Sequence, residues 1–244
     1  MSKRQKTAIR IAAVILALVL LSALGVRLYA ADYYHADETA AAALVSNGAV
    51  TVELLEGTAI FRPEAPAAGF IFYPGGKVEF TAYAPLLSAL AENGILCVLP
   101  EMPLNLAVLN VNAADGVQAQ FPEVKNWYIG GHSLGGSMAA SYAAQNAESF
   151  SGLILLASYS TSDLTESGLK VLSVYGSEDG VLSMEKYREY FSMLPEDTME
   201  TVILGGIHAF FGSYGVQKGD GDAAISAQEQ LRLTAEAVTE FILK

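Results

Sequence analysis

Cysteine is nearly absent: the 244 residues contain one, Cys97. A lone thiol permits no intrachain disulfide and no cysteine-based metal site. Its place inside the apolar run Ile95-Leu96-Cys97-Val98-Leu99 suits a buried structural thiol. Basic residues are also scarce, with 14 Lys and Arg against 26 Asp and Glu. Five of the 14 (Lys3, Arg4, Lys6, Arg10, Arg27) fall in the first 30 residues, which hold no acid, so nine face 26 in the remainder. A body this acidic repels phosphate, which disfavours nucleic-acid partners. Histidine is rarer still, at three, so proton-transfer chemistry has few candidates. Repeats and low-complexity stretches are missing beyond the alanine run at 40–43.

What is present begins with a membrane-like segment. Lys3, Arg4, Lys6 and Arg10 precede Ile11–Val26, sixteen residues without a charge, closed by Arg27-Leu28-Tyr29. A span needs about 20 apolar residues; a snorkelling Arg27 and an interfacial Tyr29 extend the usable length to residues 11–28. A cleaved signal peptide requires small residues at its cut. Ala23-Leu24-Gly25 lies inside the apolar run, and near Ala30-Ala31 the bulky Leu28 or Tyr29 takes the position that should be small. The segment therefore reads as an uncleaved anchor, basic end inside and acidic body on the extracytoplasmic side; cleavage would make the protein secreted. The expected organisation is an anchor over 1–30, a juxtamembrane tether or short helix over 31–49, and one globular domain over 50–244, large enough to bury its own core.

The body alternates strand and helix signals. Val50–Leu55 and Thr58–Phe61, hinged at Glu56-Gly57, read as a hairpin. Strands are expected at Gly69–Tyr73, Ile95–Leu99, Trp127–Gly131, Gly152–Ala157, Lys170–Tyr175 and Glu200–Leu204. Helices are expected at 82–92, 113–119, 134–147, 184–194 and 227–243, the first stopped by Asn93-Gly94. Continuous apolar strands interleaved with helices indicate a mostly parallel sheet covered on both faces, an α/β fold.

Gly131-His132-Ser133-Leu134-Gly135 sits between an apolar strand and an alanine-rich helix. This G-x-S-x-G turn holds a serine on a sharp bend with its hydroxyl exposed. Gly131 and Gly135 leave room for the neighbouring strand and helix. A serine hydroxyl needs an adjacent base to become a nucleophile. His132 adjoins the serine and is expected to project elsewhere, and His35 precedes the sheet. That leaves His208 in Gly205-Gly206-Ile207-His208-Ala209-Phe210-Phe211, expected as a semi-buried imidazole on a mobile loop. A carboxylate must orient the base. Asp179, in the turn Tyr175-Gly176-Ser177-Glu178-Asp179-Gly180, is the choice, with Glu178 as the alternative.

With Ser133, Asp179 and His208 in that order, the chain resembles the α/β-hydrolase superfamily over roughly residues 50–244, where the order is nucleophile, acid, histidine. The resemblance implies that the turn Tyr73-Pro74-Gly75-Gly76-Lys77 supplies an oxyanion amide from Gly76, or from Lys77, beside the Leu134 amide. Only about twelve residues separate the sixth strand from the seventh, too few for a lid domain. The chain is thus similar to small, lidless, dienelactone-hydrolase-like members carrying an N-terminal membrane segment; position 133 is serine where some of those carry cysteine. The implied activity is a serine hydrolase of a small-molecule carboxylic ester or similar acyl substrate, without metal or organic cofactor. Peptide, thioester or lactone cleavage on the same triad, or a non-catalytic binding domain of this fold, are the alternatives. The pocket is expected from loops near 101–105, 159–163 and 210–214. Asp220 and Asp222 are too few for a calcium site and are expected on a solvated loop near its mouth.

Overall fold

The computed structural model describes residues 2–244, which fall into two units, one ending at Tyr33 and the other spanning Tyr34–Lys244. The first is dominated by the helix α1, Lys3–Ala31, of 29 residues. Ser2 caps it, its hydroxyl accepting from the Gln5 amide at 3.2 Å while the Gln5 side chain accepts from the Ser2 amide at 2.8 Å. At about 1.5 Å per residue the helix is about 44 Å long, and it is long and apolar enough to cross a membrane. Ile11, Ile15, Leu18 and Leu21 are all exposed.

The second unit is built on an eight-stranded sheet: β1 (Val50–Leu55), β2 (Thr58–Pro63), β3 (Ala68–Tyr73), β4 (Ile95–Pro100), β5 (Trp127–His132), β6 (Gly152–Leu156), β7 (Lys170–Gly176) and β8 (Met199–Ile203). Their spatial order is β1-β2-β4-β3-β5-β6-β7-β8. The first two strands are antiparallel to their neighbours, and every pair from β4 onward is parallel. Parallel strands covered on both sides need apolar residues at consecutive positions, and they have them. Phe70, Phe72, Cys97, Tyr128 and Ile154 face one core; Ile71, Tyr73, Leu96, Ile129 and Leu155 face the other. Helices α3 (Ala84–Glu92) and α6 (Ala227–Leu243) close the first core; α4 (Leu134–Gln145) closes the second. A shorter α5, Met184–Phe191, links β7 to β8.

Residues 34–49 pack on this unit. Tyr34 bridges to Val78, its amide donating to the Lys77 carbonyl at 2.8 Å, and the Asp37 amide donates to the Ser213 carbonyl at 2.9 Å. A one-and-a-half-turn helix, α2 (Glu38–Ala43), follows, capped by the Asp37 carboxylate on the Ala40 amide. The helix expected at 113–119 is not formed; turns and a short 3₁₀ stretch at Gln118–Gln120 replace it. Gly116 takes a left-handed φ of 72° there, and Asn110, Asn112 and Asp115 favour turns over helix interiors.

Trp127, the single tryptophan, opens β5 and lies across β3. A Cβ at Gly69 would come within 2.5 Å of its ring, and its indole N–H donates to the Val124 carbonyl at 3.2 Å. This packing seats the base of β5. The chain runs outward from β3 to β4 and returns past β3 to β5. The reversal opens a crevice at the carboxyl ends of β3 and β5, where open α/β sheets place their ligands.

Candidate active site

Ser133 follows β5 in that crevice. Its backbone is held at φ 52°, ψ −122°, a conformation costing a non-glycine residue about 1–3 kcal/mol. The surroundings explain why it persists. A Cβ at Gly131 would lie 2.3 Å from the Tyr73 carbonyl oxygen, and one at Gly135 would lie 2.2 Å from the same atom. Backbone therefore meets backbone on both sides of the serine, and only glycine fits. The Ser133 amide donates to the Leu156 carbonyl at 2.9 Å, and its own carbonyl accepts from Ser158 Oγ at 2.7 Å. Its hydroxyl does not cap α4. Leu134 starts that helix, so its amide is among the donors the helix leaves unpaired, at the positive end of the dipole.

The Pro74-Gly75-Gly76 turn after β3 lies against this start: a Cβ at Gly76 would be 2.9 Å from Leu134 Cδ2. Gly76 and Leu134 are thus neighbours. Lys77, with φ 59°, donates its amide to the Asn105 carbonyl at 2.8 Å. Gly75 donates its amide to the buried Tyr83 hydroxyl at 3.0 Å, and that hydroxyl meets His132 Nδ1 at 2.9 Å.

The acid turn and the histidine loop come from the ends of β7 and β8. Asp179 Oδ2 meets His208 Nδ1 at 2.8 Å, with 1 % and 2 % of the two side chains exposed. Asp179 Oδ1 accepts from the Val181 and Leu182 amides at 2.8 and 2.7 Å. A carboxylate accepts only, so Nδ1 carries the hydrogen and Nε2 of the neutral ring is the acceptor. Nε2 is buried and makes no hydrogen bond in the structure; the short contact to a serine hydroxyl often tightens only when substrate is bound. The loop differs from its expected character, because His208 is buried and opens a short 3₁₀ turn, Ala209–Phe211. Glu178 is exposed and accepts from Ser177 Oγ at 3.0 Å.

His132 has a position the sequence did not reveal. Its ring is buried, 4.5 Å centroid to centroid from that of His208 and 5.6 Å from Phe211. Burial holds its pKa well below the ordinary value, and the neighbouring His208 lowers it further. His132 thus stays neutral beside His208.

Ser133 and His208 line one cleft of about 290 Å³, together with Ser137, Tyr159, Leu182 and Lys186. Tyr159 was expected there, and its ring stacks on Tyr190 at 5.4 Å. The wall from Val181 to Lys186 was not expected, because it belongs to the connection after the acid turn. Among the described residues no group of three or more His, Cys, Asp or Glu could hold a metal ion.

The model of the alpha/beta hydrolase family matches residues 69–232, and the chain belongs to that family. Solved structures of the same fold include Est1E from Butyrivibrio proteoclasticus, at 16 % identity and TM-score 0.56, covering 80 % of this chain and 98 % of that one. They also include a dienelactone hydrolase from Anabaena variabilis, at 15 % and 0.54, covering 80 % and 94 %. A third is carboxyl esterase 2 from the fungus Tuber melanosporum, at 12 % and 0.58, covering 87 % and 92 %. No curated protein matches the sequence.

Proposed function

We propose that the protein is a membrane-tethered serine hydrolase of small carboxylic esters, acting through Ser133, His208 and Asp179. The observation that carries this reading is the buried Asp179–His208 pair, whose histidine lines the same cleft as the strained Ser133. Ser133 Oγ attacks the substrate carbonyl carbon while His208 Nε2 takes its proton. The carbonyl oxygen becomes negative in the tetrahedral intermediate, where the Gly76 and Leu134 amides stabilise it. The engagement of the Lys77 amide with Asn105 favours Gly76 over its neighbour. The imidazolium, stabilised by Asp179, then protonates the departing alcohol oxygen as the C–O bond breaks. Water, deprotonated by His208, attacks the acyl enzyme, and the acid leaves with Ser133 Oγ reprotonated. All these roles fall to the chain's own groups.

Est1E, whose structure also exists with ferulic acid bound, and the fungal carboxyl esterase support an ester over a peptide or thioester. A cleft of about 290 Å³ suits a small acyl group. Helix α1 would serve as the anchor through residues 11–28, its four leading cations inside and the acidic domain on the extracytoplasmic side.

The test is labelling of the full-length protein with a fluorophosphonate probe, beside turnover of p-nitrophenyl esters of increasing chain length. Ser133 is labelled, and Ser133→Ala loses both labelling and turnover. Labelling that survives the substitution would sink the assignment. A folded protein resistant to the probe would favour a binding domain of this fold.

A further inference from the structure

The Gly- and Asp-rich segment after His208, expected as a solvated loop, is largely exposed, but Asp220 near its end is half-buried. Asp220 sits where three stretches of backbone converge, and its carboxylate accepts four backbone N–H groups. Oδ1 takes those of His208 at 3.0 Å, Gly180 at 3.2 Å and its neighbour Gly221 at 2.9 Å. Oδ2 takes that of Ala209 at 2.7 Å. One of these residues is the histidine itself, and another follows Asp179.

The packing behind the carboxylate is as close as backbone allows. A Cβ at Gly221 would lie 1.8 Å from the Glu178 carbonyl oxygen, and one at Gly180 would lie 2.6 Å from that of Gly219. On the far side of the acid turn, the Glu178 amide donates to the Gly206 carbonyl at 2.9 Å. The acid turn 176–180 is therefore held between the histidine loop and the strand of chain at 219–221.

We propose that Asp220 is a positioning residue that fixes the distance between Asp179 and His208, by binding the backbone of both loops at once. It touches neither substrate nor the reacting atoms. Without it, each loop keeps its own strand but loses the shared acceptor, and the imidazole gains freedom to leave the geometry in which Nε2 meets the serine. Small displacements of this kind reduce the rate of the chemical step more than the binding of substrate. This inference rests on the reading of Ser133 and His208 as nucleophile and base.

The test uses the full-length protein and compares Asp220→Ala, Asp220→Asn and the exposed neighbour Asp222→Ala. Turnover is expressed per site titrated by the fluorophosphonate, so that unfolded molecules do not count. The expected result for Asp220→Ala is a fall in kcat of about 100-fold with KM within about threefold. Asp220→Asn keeps one acceptor oxygen for His208 and Gly180 while turning an N–H towards Ala209, so it should recover part of the loss. Asp222→Ala should match the wild type. If Asp220→Ala fails to fold, Asp220→Asn decides alone: a lowered kcat at unchanged KM supports the proposal. A kcat within threefold of wild type in the folded variant overturns it, as does a loss expressed mainly in KM. Wild-type protein that neither takes the probe nor turns over any ester would instead remove the reading beneath it.

Discussion

The two halves of the site are assembled by different physics. The serine half is steric: Gly131 and Gly135 let backbones approach to distances no side chain tolerates, and Ser133 is held in a strained conformation between them. The half that holds Asp179 and His208 is built by hydrogen bonds, with carboxylates of Asp179 and Asp220 gathering amides from separate loops. A steric device is written within five consecutive residues. A hydrogen-bonded one draws on groups tens of residues apart. The contrast implies that damage to the first should reach the fold, while damage to the second should reach the chemistry first.

The largest expected effect tests the second half. Asp179→Asn should lower kcat by about 10³–10⁴-fold, because an amide in place of the carboxylate turns the imidazole to the wrong tautomer. Steady-state ester hydrolysis checks this, and the melting temperature should change little beside it. Gly135→Ala tests the first half. Its Cβ would have to displace the Tyr73 and Pro74 carbonyls, so unfolding in urea should show a loss of about 3 kcal/mol or more. A folded, stable Gly135→Ala protein would erase the contrast.

Tyr83→Phe probes the link between the halves, since its hydroxyl joins the Gly75 amide to His132. Two buried polar groups lose a partner, for about 1–3 kcal/mol of stability, with a smaller fall in kcat as the turn carrying Gly75 and Gly76 loosens. The subtlest effect belongs to His132. Its pKa in the folded chain lies below the ordinary value, which is about 6.5. The folded protein therefore binds fewer protons than the unfolded one as pH falls below about 6.5, and stability drops there by up to about 1.4 kcal/mol per unit from this group. Urea unfolding at pH 7.5 and 5.5 should show a weaker dependence in His132→Gln than in wild type. Equal slopes would mean that His132 titrates normally.

The same contrast explains what could be read in advance. The strands, α6 and the elbow at Ser133 follow from local pattern: runs of apolar residues, caps and closely spaced glycines. His208 emerged because only three histidines exist, and Asp179 because its turn follows a buried strand. The pairing of Tyr83 with His132 spans 49 positions and that of Asp220 with Gly180 spans 40. Nothing in the local composition of either partner announces such a contact. The helix expected at 113–119 failed for a local reason instead: Asn110, Asn112 and Gly116 settle the backbone into turns.

Trp127 gives the molecule an optical handle. The only indole in the chain is nearly buried at the foot of β5, the strand whose other end carries Ser133. Its fluorescence therefore monitors the scaffold of the elbow without any label. Gly135→Ala should shift that emission at low urea, and Asp179→Asn should leave it unchanged. One intrinsic spectrum thus separates a broken framework from a silenced reaction.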